Sequence, residues 1–223
     1  MDAIGEALQW LTTAEEWWGP RGILTAVRKH LWYSLLALLG AGMIGFPVGL
    51  AIGHTGRGRF VAANVAGLWR AIPTVGVVGL LFLWRPLSLW PVLGALLVLA
   101  VPPIMLNTAA GIESVSPDVR DAASGMGLTG WQALWQVEVP NGLPLIIAGV
   151  RSAANQVIAT ATIAGFVGLG TPGEYIFTGF ATQRYGVVVG ASILVIVLVL
   201  IVEGAFALAQ RRLVSGGVRA RAL

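Results

Sequence analysis

The chain has 223 residues, 57% hydrophobic and 11% charged, with a net charge of +4 and no cysteine. Soluble domains carry about a quarter charged residues, so a water-soluble domain is excluded and the solvent for this chain is a bilayer. The lack of cysteine also excludes a disulfide framework, a thiolate metal site and a cysteine nucleophile.

Residues 1–30 carry Asp2, Glu6, Glu15 and Glu16 ahead of the first long apolar run, which is not the pattern of a secretory signal peptide. Ile4, Leu8, Leu11, Trp17 and Trp18 predict a helix lying in the membrane interface, a frayed terminus being the alternative. Five runs then reach the length of about 20 apolar residues that a crossing helix needs: 31–52, 61–84, 89–112, 143–165 and 186–208. These form a five-helix domain over 31–210, followed by a tail at 211–223. The second run carries Arg70 and Pro73, so its first part is expected to be irregular or to face protein. His30 and His54 have no neighbouring carboxylate cluster, and no metal site is expected. The basic residues near the span ends fit anionic lipid and topology better than nucleic acid. Their distribution, with Arg57, Arg59, Arg120, Arg211, Arg212, Arg219 and Arg221 on one side against Arg21, Arg28, Lys29, Arg85 and Arg184 on the other, favours an outer N-terminus and a cytoplasmic C-terminus by a small margin.

The connection from 113 to 141 is longer than topology requires. Ser116-Pro117 reads as a helix start, with Ser as cap and Pro at the first position. Gly127 ends that helix in the left-handed conformation, and Thr129 with Gln132 predicts a capping box for a second short helix. Trp131 and Trp135 share a face of it, with Leu134 beside them. Pro140 is expected to end this second helix and Asn141 to cap the next span. A helix–Gly–helix elbow with an aromatic knob can transmit force as a rigid piece. The same spacing also suits a loop packed on its own bundle.

This segment resembles the signature of binding-protein-dependent ABC importer permeases: Glu-Ala-Ala, three residues, Gly, nine residues, Ile, one residue, Leu-Pro. Asp121-Ala122-Ala123, Gly127, Val137, Glu138, Val139 and Pro140 stand at those spacings. The resemblance implies a type I importer fold, all-α and membrane-embedded. It also implies that Asp121, Ala122, Ala123, Gly127, Thr129, Trp131, Leu134, Trp135, Glu138 and Pro140 form a cytoplasmic coupling helix docked on an ATPase. Ala71-Ile72-Pro73-Thr74, Pro102 to Thr108, Gly149 to Ala153, Ile158 to Thr162 and Gly168-Leu169-Gly170 are similar to the subgroup that carries glycine betaine, carnitine, choline and proline betaine.

The span at 143–165 is the most polar. Ser152, Asn155 and Thr162 fall on roughly one helical face, as pore-lining residues would, or as residues bonding between helices in lipid. Arg70, Pro73 and Asn107 complete the candidate pathway, Arg70 because a charge that deep must face protein or water. In an importer the outer connection, with Gly168, Gly173, Glu174, Tyr175 and Phe177, is the expected surface for an extracytoplasmic binding protein; an ordinary amphipathic linker is the alternative.

No Gly-rich loop ending in Gly-Lys-Ser/Thr is present. The expectation is therefore a non-enzymatic subunit that binds no cofactor, with ATP and Mg on two partner ATPase subunits. Five spans are too few for a pathway, so a second permease chain is expected, identical or related. A multi-pass place in a bacterial or archaeal inner or plasma membrane follows. An amino-acid or sulfonate importer permease is the nearest alternative. A stand-alone secondary transporter, or a membrane enzyme, finds little support in the intramembrane residues.

Overall fold

A computed structural model describes residues 3–71, 73–86 and 88–213, without the side chains of 69–71, 211 and 213. The described residues are overwhelmingly helical. In chain order the helices are α1 (Ala3–Thr12), α2 (Ala14–Trp17), α3 (Ile23–Thr55), α4 (Arg59–Ala71), α5 (Thr74–Trp84), α6 (Trp90–Glu113), α7 (Pro117–Gly125), α8 (Gly130–Ala133), α9 (Val139–Thr160), α10 (Pro172–Ala181) and α11 (Tyr185–Leu213). A π-turn at Leu134–Glu138 joins α8 to α9, and a 3₁₀ turn at Ala161–Gly165 follows α9.

Four helical stretches are long and apolar enough to cross a bilayer: Ile23–Thr55, Trp90–Glu113, Gly130–Gly165 and Tyr185–Gln210. The expected span at 61–84 is instead two helices of 13 and 11 residues, α4 and α5. Pro73 stands at the break with φ −64° and ψ 113°, outside the helical region. It has no N–H to give a preceding turn, but its carbonyl accepts the Val77 N–H at 3.0 Å and so opens α5. At about 1.5 Å per residue neither piece alone spans a core of about 30 Å.

By contacts the chain forms two compact units. The first contains Met1–Leu38, Ile72–Leu97 and Ala154–Glu203. Its core is Trp10, Ile23 and Ala191, with Leu11, Trp17, Val27, Tyr175, Ile176, Val187 and Leu194 packed round it. The N-terminal helix α1 packs on this core through Trp10. Trp10 is buried against Gly190, where a Cβ would fall 2.6 Å from its ring. In the same unit His30 is fully buried, and its Nε2 donates to the Ile158 carbonyl at 2.8 Å, tying α3 to α9.

The second unit contains Leu39–Ala71, Val98–Ala153 and Gly204–Leu223. Here Gly45, Gly49 and Gly53 make one stripe along α3, four residues apart. A Cβ at Gly49 would lie 2.6 Å from the Met105 carbonyl oxygen, and one at Gly53 would lie 2.7 Å from that of Ala109. The stripe lets α3 and α6 approach backbone to backbone, the usual route to helix association where burial from lipid gives no hydrophobic gain. Ile112, Leu134 and Ile146, with Phe46, Leu50 and Val139, then form a core below it.

Candidate functional site

The elbow between α6 and α9 lies wholly within the second unit. Pro117 occupies the first turn of α7, and Asp118 sits near its positive end. Ser116 holds the cap position with extended dihedrals but makes no side-chain cap bond. Gly127 terminates α7 at φ +82°. The Gly127 N–H donates to Ser124 O at 2.9 Å and the Leu128 N–H to Ala123 O at 3.2 Å, so the carbonyls left open by the helix end are satisfied across the glycine. Thr129 caps α8 through a complete capping box with Gln132.

Beyond α8 the structure departs from the sequence expectation. Pro140 does not end the helix. The turn widens instead, the Val139 N–H reaching back to Leu134 O, and the chain runs on into α9. Proline cannot donate to its own turn, and a turn with one extra residue absorbs the gap. Asn141 does not cap α9 either; its Nδ2 donates to Val137 O at 2.7 Å. The continuous stretch Gly130–Gly165 has 36 residues. At about 1.5 Å each, that is more residues than the whole bilayer core of about 30 Å requires.

The surface of the elbow carries three large apolar side chains among polar ones. Trp131 is 69% exposed, Trp135 46% and Met126 74%. The two indoles meet edge to face, with centroids 5.5 Å apart. Asp121, Ala122, Thr129 and Pro140 are exposed beside them, while Ala123 and Leu134 are turned into the unit. Met126 was not singled out by sequence reasoning, although its place one residue before the terminating Gly puts it at the apex.

Glu138 is buried, 3% exposed. Its Oε2 accepts from His54 Nδ1 at 2.7 Å, and Arg120 Nε stands 3.4 Å from Oε1. That second contact is close enough to attract but is not aligned as a hydrogen bond. Arg120 Nη2 donates to the Ile112 carbonyl in the last turn of α6, at 2.7 Å. His54 and Glu138 are 84 positions apart, so no local pattern could have paired them.

The connection from 166 to 185 lies in the first unit. Thr171 precedes α10 and Pro172 opens it. A Cβ at Gly173 would fall 1.8 Å from Thr162 O, and one at Gly165 would fall 2.0 Å from Glu174 N, so this helix start is pressed onto the 3₁₀ turn. Glu174 Oε2 accepts the Gly170 N–H at 2.9 Å. The Tyr175 hydroxyl donates to Arg21 O, and its ring packs edge to face on Trp10. Burial, then the Glu16 and Glu174 carboxylates, push the Tyr175 hydroxyl up to about 12. Gly173 is buried and Glu174 and Tyr175 half-buried; Gly168 and Phe177 reach the surface. Phe166, Phe180 and Tyr185 are exposed near them and extend an aromatic face that the spacing of the loop did not reveal.

The pathway candidates belong to both units. Asn107 Nδ2 donates to Pro103 O at 2.8 Å, and Ser152 is exposed. Asn155 Nδ2 donates to Glu203 Oε2 at 2.5 Å. Thr162 lies in the 3₁₀ turn, beyond the end of α9, so the helical face shared by Ser152 and Asn155 does not extend to it. Pro73 marks the break before α5, and the side chain of Arg70 lies outside the described residues. Among the described residues no three His, Asp or Glu side chains are grouped to hold a metal ion.

The profile of the binding-protein-dependent transport system inner membrane component matches residues 43–215. The chain is 30% identical over 197 residues to the "Carnitine transport permease protein OpuCB" of Listeria monocytogenes, covering 88% of this chain and 90% of that one. It is 27% identical to the "Glycine betaine/carnitine/choline transport system permease protein OpuCB" of Bacillus subtilis, covering 88% and 91%. Among solved structures it is similar to an inward-facing form of the MetNI methionine ABC transporter, with TM-score 0.73 at 21% identity over 86% of this chain and 96% of that one.

Proposed function

Because this chain belongs to the binding-protein-dependent transport system inner membrane components, we propose that it is the permease subunit through which an ATP-driven importer passes a small quaternary-ammonium osmoprotectant. A permease component is a multi-pass membrane protein and not itself an enzyme. In this reading the Met126–Trp131–Trp135 knob sits in a cleft of a separate ATPase subunit, which holds ATP and Mg²⁺. Two ATPases and two permease chains complete the transporter. The N-terminus lies outside and the C-terminus in the cytoplasm, which puts the elbow on the ATPase side. An extracytoplasmic binding protein docks on the face around α10, including Phe177, and supplies selectivity.

The observation that carries the reading is the elbow itself. Large apolar side chains are exposed at its apex, yet its backbone is fixed by a closed glycine cap, a capping box and a buried carboxylate. A flexible membrane-anchoring loop needs none of these. The carnitine, choline and glycine betaine named for the relatives support the substrate class. An amino-acid substrate rests on the methionine transporter and on an amino acid ABC transporter solved with histidines, whose likeness to this chain is one of fold.

The test is reconstitution with the ATPase and binding protein from the same genome, followed by uptake of labelled glycine betaine, choline, carnitine and methionine. ATP-dependent uptake of at least one quaternary amine, and none of methionine, is expected. Uptake of methionine alone would overturn the substrate class. Uptake that persists without the ATPase would overturn the importer reading.

A further inference from the structure

We propose that Glu138 is a positioning residue that clasps the elbow to the C-terminal ends of α3 and α6, with His54 and Arg120 as its two holders. Motion imposed on α8 is thereby delivered to those helix ends. This rests on the reading of the elbow as the ATPase contact.

A carboxylate with so little exposure is costly unless it is paired and hydrogen-bonded. Glu138 meets that demand with groups from two other elements. His54 is one residue from the end of α3. Arg120 belongs to α7 and is itself fastened to the Ile112 carbonyl, one residue from the end of α6. An ionised carboxylate carries no proton, so His54 Nδ1 donates across the 2.7 Å contact. Arg59 adds an outer link, 3.1 Å from Glu113, the last residue of α6.

The π-turn explains how one short segment serves both surfaces. In an unbroken α-helix, residues 131, 135 and 138 would share a face, being four and three apart. One extra residue in the turn swings the following side chains by about 100°, the step of a single helical residue. Trp131 and Trp135 therefore stay outside while Glu138 turns in toward His54. The segment meets a partner on one side and is bolted to two span ends on the other.

The experiment uses the complete reconstituted importer in proteoliposomes and reads ATP hydrolysed per molecule imported. Glu138→Gln keeps the shape and removes the charge. It should raise that ratio about ten-fold, the scale of losing one charge-assisted hydrogen bond. His54→Ala should do the same, and the double variant should be no worse than either single one, because both remove one interaction. Arg120→Ala should raise the ratio as well, and Arg120→Lys, which keeps a cation but loses the fork that joins Glu138 to the Ile112 carbonyl, should fall between it and the parent. A purely structural anchor would instead lower the amount of assembled importer and leave the ratio unchanged. If Glu138→Gln does not assemble, His54→Gln reads the same ratio from the more exposed partner. An unchanged ratio in the Glu138 and His54 variants, with a raised one in Trp131→Ala, overturns the clasp and leaves the elbow reading standing. An unchanged ratio in all three overturns both.

Discussion

Tyr175 packs edge to face on Trp10, with ring centroids 5.2 Å apart, and its hydroxyl donates to the carbonyl of Arg21. One aromatic side chain on α10 is thus held from both ends by the N-terminal segment. The amphipathic residues before the first span serve to position the start of the outer connection.

This arrangement has a pH signature. The Tyr175 hydroxyl is pushed up from 10.0 to about 12, by burial first and by the Glu16 and Glu174 carboxylates next. A phenol raised in the folded state favours that state in its neutral form. Its contribution is complete below about pH 10, where the unfolded chain also keeps its proton, and it is lost as the pH climbs through about 12. The Tm of the purified chain in detergent should fall between pH 10 and 12, and Tyr175→Phe should flatten that part of the fall. Equal slopes for parent and variant would show that the hydroxyl is not held as described.

Close approach of α3 and α6 makes Gly49 intolerant of a side chain. A Cβ there would meet the Met105 carbonyl oxygen at 2.6 Å and Thr108 Cβ at 2.7 Å. Backbone cannot move aside as a flexible side chain can, so Gly49→Val should cost about 3 kcal/mol, the upper part of the overpacking range. Thermal unfolding in detergent checks this. Gly67, with nothing within 4 Å of its Cβ position, is the control: Gly67→Ala should change Tm little.

Much of this was readable from sequence, and the failures share a cause. Four of the five expected spans, the Gly127 terminus and the Thr129–Gln132 box are local patterns, and each occurs where composition and spacing put it. Pro73 divided the expected second span because proline acts on its own turn. Pro140 did not end its helix: the turn before it is widened, and Leu134 of that turn packs with Ile112 and Ile146, contacts far apart in sequence. The pairing of His54 with Glu138 is long-range and had no local signal. The Gly45–Gly49–Gly53 stripe did have one, in its four-residue spacing, and that spacing could have marked the α3 face that meets α6.

Gly127 is required for its backbone conformation alone. Nothing lies within 4 Å of its Cβ position, but its φ is +82°. A β-branched residue held there would be strained by about 1–2 kcal/mol. Gly127→Val should therefore open the joint between α7 and α8 and abolish ATP-driven uptake while the chain still inserts in the membrane. Gly127→Asn, which tolerates the left-handed region, should retain most of the uptake. Equal uptake by both variants would remove the elbow's shape from the account.

The outer face gives a separate expectation. Gly173 is pressed against the Thr162 carbonyl, so Gly173→Ala should loosen α10 and reduce stimulation of the ATPase by the loaded binding protein. Phe177→Ala should weaken docking without lowering Tm, since that ring is 39% exposed. Loss of Tm in both, with docking intact, would assign the face a structural part only.

The most direct measurement uses the absence of cysteine from the chain. Trp131→Cys creates a unique thiol at the tip of the elbow, and a short bifunctional maleimide can be applied to the assembled importer carrying single cysteines in the ATPase. The account predicts a permease–ATPase cross-link from position 131 whose yield changes with ATP. A thiol at 131 that joins no ATPase position in any nucleotide state, while the importer remains active, would contradict it.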